Sequence, residues 1–237
     1  MGFSFIKMEK NKLIIITGSS GGIGSKILEY FSKRYNILAI YKKNKPNLNN
    51  KNIRYLKLDF MKKIVINKSY YKNKKIILIN LAAVKYDALL INYKRSQLRT
   101  MFKINVEATF EILKILLPEM IIKKWGRIIN FSSTDGINGD VGITSYSATK
   151  YSLHGLSKVL SKEYGMLGIT SNILILGNFN TGMYKKLNYA QQKKILERIP
   201  SKKTGNIKNI INAVNFLIKS DYINGAEIKI DGGLQTQ

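Results

Sequence analysis

The sequence predicts a doubly wound α/β domain, with helices flanking both faces of a mostly parallel seven-stranded sheet. Three observations carry this. Short apolar runs rich in β-branched residues alternate with amphipathic helical segments. A glycine-rich turn joins the first apolar run to the first helical segment. The chain's 237 residues, 45% of them hydrophobic, suffice for one domain with a core that needs no staples.

The first four strands are expected at "KLIIITG" (12–18), "NILAIY" (36–41), "IRYLKLD" (53–59) and "KIILINLA" (75–82). "GRIINFSS" (126–133), "ITSNILIL" (169–176) and "GAEIKID" (225–231) complete the sheet. Their apolar runs are mostly continuous rather than alternating, the pattern of strands covered on both faces. Helices are expected over 23–34, 95–123, 145–166, 188–198 and 207–219. The segments 41–52 and 68–75 read as polar loops, too short to separate domains, and the interval from Asp59 to Asn80 leaves room for only a reduced helix. Residues 1–11 are expected to form an N-terminal extension and 12–237 the single domain, with Met8 as an alternative start.

Composition narrows the function classes. The chain has no cysteine, so disulfides and thiolate metal sites are excluded. Its single histidine, His154, cannot build a multi-histidine metal site and is expected to be structural or on the surface. No apolar run approaches the roughly eighteen residues of a membrane span, and the N-terminal apolar patch is too short for a secretory signal. A cytoplasmic location and no membrane partner are therefore expected. The formal charge of +26 would suit a nucleic-acid binder, but only 6 of the 40 basic residues are arginine, and the lysines are scattered over loops and helix faces. A general attraction for acidic partners is expected, without specific nucleic-acid binding.

The turn "ITGSSGGIGSKI" (16–27) spaces Gly18, Gly22 and Gly24 as G-x-x-x-G-x-G. Gly18 would permit the turn, Gly22 would let backbone amides approach a pyrophosphate, and Gly24 would let the helix pack closely on the strand. A Rossmann-type dinucleotide site is expected, although ordinary strand–helix loops also use glycine. Further on, "TSYSATKYSLHG" (144–155) places Tyr146 and Lys150 on one helical face. Fourteen tyrosines and forty basic residues make such a spacing easy to meet by chance. The pair's position after a strand ending in Ser132 and Ser133, behind a nucleotide turn, points to catalysis instead. Tyr151, on another face, is expected in an interface or core.

These residues together resemble the short-chain dehydrogenase/reductase family, whose motifs are T-G-x-x-x-G-x-G, N-N-A-G, an upstream Ser and Y-x-x-x-K. The matches are Thr17 to Gly24, Ser133, Tyr146 and Lys150, with Asn105 in "FKINVEAT" at the place of the family's helix asparagine. The likeness runs to "IDGG" (230–233) and is strongest to the 3-oxoacyl-[acyl-carrier-protein] reductases, through "YDALL" (86–90), "TGM" (181–183) and the C-terminal pattern. The sequence departs from the family at "NLAA" (80–83), where Leu81 and Ala83 replace Asn and Gly, and at Leu176–Gly177, where the family has Pro-Gly.

The resemblance implies a catalytic set of Asn105, Ser133, Tyr146 and Lys150. Tyr146 would donate the proton, Ser133 would hold the substrate oxygen, and Lys150 would favour the phenolate and hold the nicotinamide ribose. Asn105 would support a water leading to Lys150. Ser132 and Ser133 as a mere strand end, and Asn105 as a mere helix-interior polar residue, stay open. Cofactor contacts are implied at Gly18, Ser20, Gly22, Ile23 and Gly24 in the turn, and at Asn80 and Ala82 after the fourth strand. Gly177, Phe179 and Thr181 would line the nicotinamide end, with Tyr146 and Lys150. Tyr41 stands where NAD-binding folds carry an acid, and Lys42 and Lys43 follow it, so NADPH is expected over NADH, which stays an alternative. Asp59 and Phe60 are expected near the adenine.

The expected activity is reduction of a ketone to a secondary alcohol, foremost 3-oxoacyl-[acyl-carrier-protein] in fatty acid biosynthesis. The alternatives are the same chemistry on a sugar, polyol or other small ketone, and, remotely, a non-catalytic nucleic-acid binder on the same fold. The resemblance also implies a homo-oligomer, a tetramer, and acyl carrier protein or a small ketone as partner. Lys124 stands where relatives carry a basic docking residue, and Leu167 occupies a second such position.

Overall fold

The computed structural model describes residues 8–182 and 184–235. Most of the expected N-terminal extension, together with the methionine of "TGM", lies outside the described residues. Among the described residues seven strands form: β1 (Lys12–Thr17), β2 (Asn36–Tyr41), β3 (Ile53–Lys57), β4 (Lys75–Asn80), β5 (Gly126–Ser133), β6 (Ile169–Leu176) and β7 (Glu227–Ile230). They pair in the order β3-β2-β1-β4-β5-β6-β7, and every pairing is parallel.

The helices are α1 (Gly22–Phe31), α2 (Arg95–Phe102), α3 (Ala108–Ile122), α4 (Thr134–Asn138), α5 (Thr144–Tyr164), α6 (Tyr189–Arg198) and α7 (Ile207–Lys219). The span expected as one helix over 95–123 is interrupted by a π turn at Lys103–Glu107. The short α4 follows Ser133, which caps it by accepting a hydrogen bond from the Asp135 N–H at 3.2 Å. Between β3 and β4 only a single 3₁₀ turn, Lys68–Tyr70, replaces a crossover helix.

Continuous apolar strands need cover on both faces, and they receive it. Ile14 and Ile16 of β1 pack with Ile27, Leu28 and Phe31 of α1 and with Val214 and Leu217 of α7. Leu13 and Ile15, pointing the other way, pack with Ile112, Leu116 and Met120 of α3. Each such side chain, fully buried, stabilises the fold by about 1.5–3 kcal/mol before entropy is counted. Among the described residues no helix is long and apolar enough to cross a membrane.

The order of strands sets the site. From β1 the chain winds outward through β2 and β3, then crosses to β4 on the opposite side of β1. The crevice above the carboxyl ends of β1 and β4 is the switch point where doubly wound sheets bind ligands.

Candidate active site

Above β1, Gly18 adopts φ +68°, and a Cβ there would lie 2.9 Å from the Ala82 nitrogen. A Cβ on Gly24 would lie 2.3 Å from the Gly18 carbonyl oxygen, so only glycine lets α1 pack this closely on the turn. Ser19 ties the turn to β2, its N–H and hydroxyl both donating to the Ile40 carbonyl, at 3.1 and 2.9 Å. Ser20, Gly21 and Gly22 are exposed. Gly21 precedes α1 without a side-chain cap, so the first-turn N–H groups of Gly22, Ile23 and Gly24 are left for an anion. This cradle fits the pyrophosphate of a dinucleotide. The segment after β6 closes on it: a Cβ on Gly22 would meet the Gly182 nitrogen at 2.8 Å and the Thr181 Cβ at 3.0 Å.

The residues expected near the adenosine lie at the carboxyl ends of β2 and β3. Lys42 and Lys43 are exposed there, and Lys42 Nζ pairs with Asp59 at 3.0 Å. The Met61 N–H, and then Lys42, hold the Asp59 carboxyl below the usual carboxylate range. Phe60 is buried in the core beside Leu38 and Ile40, so its side chain serves packing.

The second half of the site sits on β5 and α5. Tyr146 is buried, its ring packed with Met101 and Ile143. The Ser133 hydroxyl lies near enough to the phenol to lower its pKa. Lys150 is buried and donates to the Phe131 carbonyl at 2.7 Å, with its Nζ 5.9 Å from the Tyr146 ring centroid. Burial pulls the Lys150 ammonium down from 10.5 to about 8. Burial and then the Asp135 carboxylate push the Tyr146 phenol above the ordinary tyrosine range; the Ser133 hydroxyl draws it back in part, and Asp87 adds to the rise. Desolvation is the largest influence on the phenol, against the acidifying effect expected of Lys150.

Two asparagines brace the crevice. Asn105 lies within the π turn, a feature frequent at functional sites. Its Oδ1 accepts the Val84 N–H at 2.8 Å, and its Nδ2 donates to the Val84 carbonyl at 2.9 Å and to Thr149 Oγ1 at 3.0 Å. Its side chain thus ties the segment after β4 to α5, one residue from Lys150. Asn80 accepts from Thr17 Oγ1 at 2.8 Å and donates to Thr109 Oγ1 at 2.7 Å. The N–H groups of Leu81 and Ala82 donate in turn to Thr17 Oγ1, both at 3.1 Å. In this arrangement the Asn80 side chain locks β1, β4 and α3 together.

In the segment expected at the nicotinamide, a Cβ on Gly177 would lie 2.8 Å from Asp231 Cα, so this glycine is required by the end of β7. Phe179 is buried, its ring lying where a Gly205 Cβ would stand. Thr181 therefore remains as the side chain of this segment next to the glycine turn.

Two clusters lie outside the motifs read in the sequence. Lys85 Nζ sits 5.3 Å from the Tyr146 ring centroid, 3.3 Å from Asp135 Oδ2 and 3.5 Å from Asp87 Oδ1. "YDALL" located Asp87, but nothing local in the sequence joins it to residue 135. The buried His154 bridges Ser132 Oγ at 2.9 Å and Glu227 Oε1 at 3.0 Å, fastening α5 to β5 and β7, while Tyr151, 60% exposed, stacks on its ring. Among the described residues no group of histidines and acids could hold a metal ion.

A parallel doubly wound sheet with a glycine cradle at its switch point, and a Ser–Tyr–Lys set beside it, defines a dinucleotide-dependent oxidoreductase. The chain belongs to the short chain dehydrogenase family, which it matches over residues 12–192. It is 36% identical over 238 residues to the 3-oxoacyl-[acyl-carrier-protein] reductase of Buchnera aphidicola subsp. Baizongia pistaciae, covering 94% of this chain and 97% of that one. It is 34% identical over 233 residues to the Rickettsia felis reductase of the same name, covering 94% and 96%. Among solved structures, a protein of Agrobacterium tumefaciens assigned as a 2-deoxy-D-gluconate 3-dehydrogenase, with bound NADP, superposes with TM-score 0.85 at 23% identity, covering 99% of this chain and all of that one. ElxO with NADP superposes at TM-score 0.81 and 23% identity, over 96% of this chain and all of that one.

Proposed function

We propose that this protein reduces the ketone of a 3-oxoacyl thioester carried on acyl carrier protein to the secondary alcohol, using NADPH. One observation supports the chemistry: Tyr146 and Lys150 are buried together on α5, the ammonium 5.9 Å from the phenol ring and Ser133 near the phenol, which burial keeps protonated. The thioester and its carrier are supported by the names of the relatives matched over nearly the whole chain. NADPH is supported by the cations at the end of β2 and by the NADP bound to both structural neighbours.

When bound, a reduced nicotinamide supplies a hydride to the carbonyl carbon. Tyr146, as the protonated acid, gives its proton to the carbonyl oxygen as negative charge develops there. Ser133 accepts the Asp135 N–H with its oxygen, and its O–H, which faces the phenol, would turn to donate to the ketone oxygen, so one hydroxyl both caps α4 and orients the ketone. Lys150, with an ammonium near its own pKa at neutral pH, is suited to return a proton to the phenolate. Asn105 positions the other wall by gripping Val84. Large apolar side chains exposed on α3 and α5, among them Phe110, Ile122, Tyr151 and Val159, support a homo-oligomer.

The test is oxidation of NADPH and NADH with an acetoacetyl thioester beside a panel of sugars, polyols and simple ketones. Tyr146→Phe should bind nucleotide normally and turn over at least about a hundredfold more slowly. Turnover confined to sugars would redirect the substrate, and near wild-type turnover in Tyr146→Phe would remove the phenol from the chemistry.

A further inference from the structure

We infer that Lys85 sets substrate specificity by donating to a second, uncharged oxygen of the substrate, so that the site selects ketones bearing a neighbouring carbonyl or hydroxyl over simple ketones. This rests on the ketone-reductase reading and adds to it the chemistry the substrate must carry beside its reacting carbon.

The placement is fixed from two sides. Val84, the preceding residue, is held at both its N–H and its carbonyl by Asn105. The ammonium is anchored to Asp135, whose own N–H donates to the Ser133 hydroxyl. Lys85 thus lies over the Tyr146 ring while tethered to the first turn of α4, which Ser133 caps. Its side chain keeps 23% exposure, so a substrate entering toward the phenol can reach it.

The charge balance defines the oxygen it can accept. An ammonium has three donors. Asp135 accepts from one and Asp87 stands at ion-pair distance, 3.5 Å, which leaves at least one for a ligand. With two carboxylates already beside it, the Lys85 ammonium gains less from a further anion than an unpaired cation would, while a neutral carbonyl or hydroxyl can take its donor without opposing charge. A wholly apolar neighbour would desolvate the ion pair and offer it nothing in return. The site therefore discriminates twice, by attraction for the right oxygen and by penalty against its absence. A 3-oxoacyl thioester satisfies it, since its second carbonyl lies one methylene away from the ketone.

The probes are an acetoacetyl thioester, which has the second oxygen, and a monoketone of similar size, which lacks it. Wild type should prefer the thioester, and Lys85→Met should lose about ten- to a hundredfold in kcat/KM on the thioester while changing little on the monoketone. Lys85→Arg, which keeps a charged donor, should recover part of the loss. An equal loss on both substrates, or none, would overturn the assignment. Should Lys85→Met fail to fold, the wild-type comparison decides alone: turnover of both ketones without preference refutes the role of Lys85. Absence of turnover on any ketone refutes the reductase reading itself and the inference with it.

Discussion

Replacing Lys150 by methionine should abolish turnover and yet leave the protein at least as stable at neutral pH. The side chain is buried, and burial alone moves its pKa from 10.5 to about 8. At about 1.4 kcal/mol per pKa unit, holding that ammonium inside the fold costs roughly 3 kcal/mol at pH 7. The sign follows from the depressed value: between about 8 and 10.5 the unfolded chain binds more protons than the folded one, so this group's contribution to stability rises with pH across that window. The cost is largest below pH 8 and fades by pH 10.5. Methionine removes it, keeps most of the volume, and gives up the hydrogen bond to the Phe131 carbonyl, worth about 1 kcal/mol net. Urea unfolding of both proteins at pH 7 and pH 9.5 isolates the effect, because every other titrating group cancels in the double difference. The mutant's advantage should shrink by roughly 2 kcal/mol between the two pH values. A difference that does not move with pH would show that Lys150 is not buried as a cation, and its assigned role in returning protons would fall with it.

At the adenosine end, Lys42→Ala with Lys43→Ala should lower kcat/KM for NADPH by about tenfold and leave NADH nearly unchanged. Asp59→Asn, which frees Lys42 from its 3.0 Å partner, should raise the NADPH preference a few-fold; a shift toward NADH would contradict the assignment. Gly24→Ala places a Cβ 2.3 Å from a backbone oxygen that cannot retreat, so nucleotide titration should show weaker binding and unfolding a loss of about 1–3 kcal/mol. Activity on carrier-bound substrate should fall with added salt more steeply than activity on the small thioester, because Lys124 is exposed on a surface of net charge +26. Equal salt sensitivity would speak for a free small molecule as substrate.

The strands were legible because a parallel sheet covered on both faces needs unbroken apolar runs, and "KLIIIT" or "ITSNILIL" can satisfy little else. The glycine turn was legible because its requirements are backbone requirements, imposed within a few residues. What escaped is of another kind. A helical pattern over 95–123 does not show one widened turn, since periodicity averages over it. Nothing near Lys85 in the sequence points to Asp135, fifty residues away, because their meeting depends on where β4 and β5 end in the folded sheet. His154 was expected to be structural or superficial, and only the packing of α5 on the sheet reveals its bridge between Ser132 and Glu227. Phe60 and Phe179 were expected at the cofactor, and the burial of both rings in the core was not visible in the motif. Neighbours in space decide that choice, and a motif does not list them.

The widened turn at Lys103–Glu107 also sets a rotational phase. Upstream of it Met101 points toward Tyr146, while downstream Ala108, Ile112 and Leu116 point toward the sheet, so one rod serves two different cores. Each residue of an ordinary helix advances about 100° around the axis. Deleting a single residue between 103 and 107 would turn the two halves against each other by about that angle. Met101 would then swing off the phenol, or the downstream stripe off the sheet. In this stretch of the chain, length is held as tightly as any side chain.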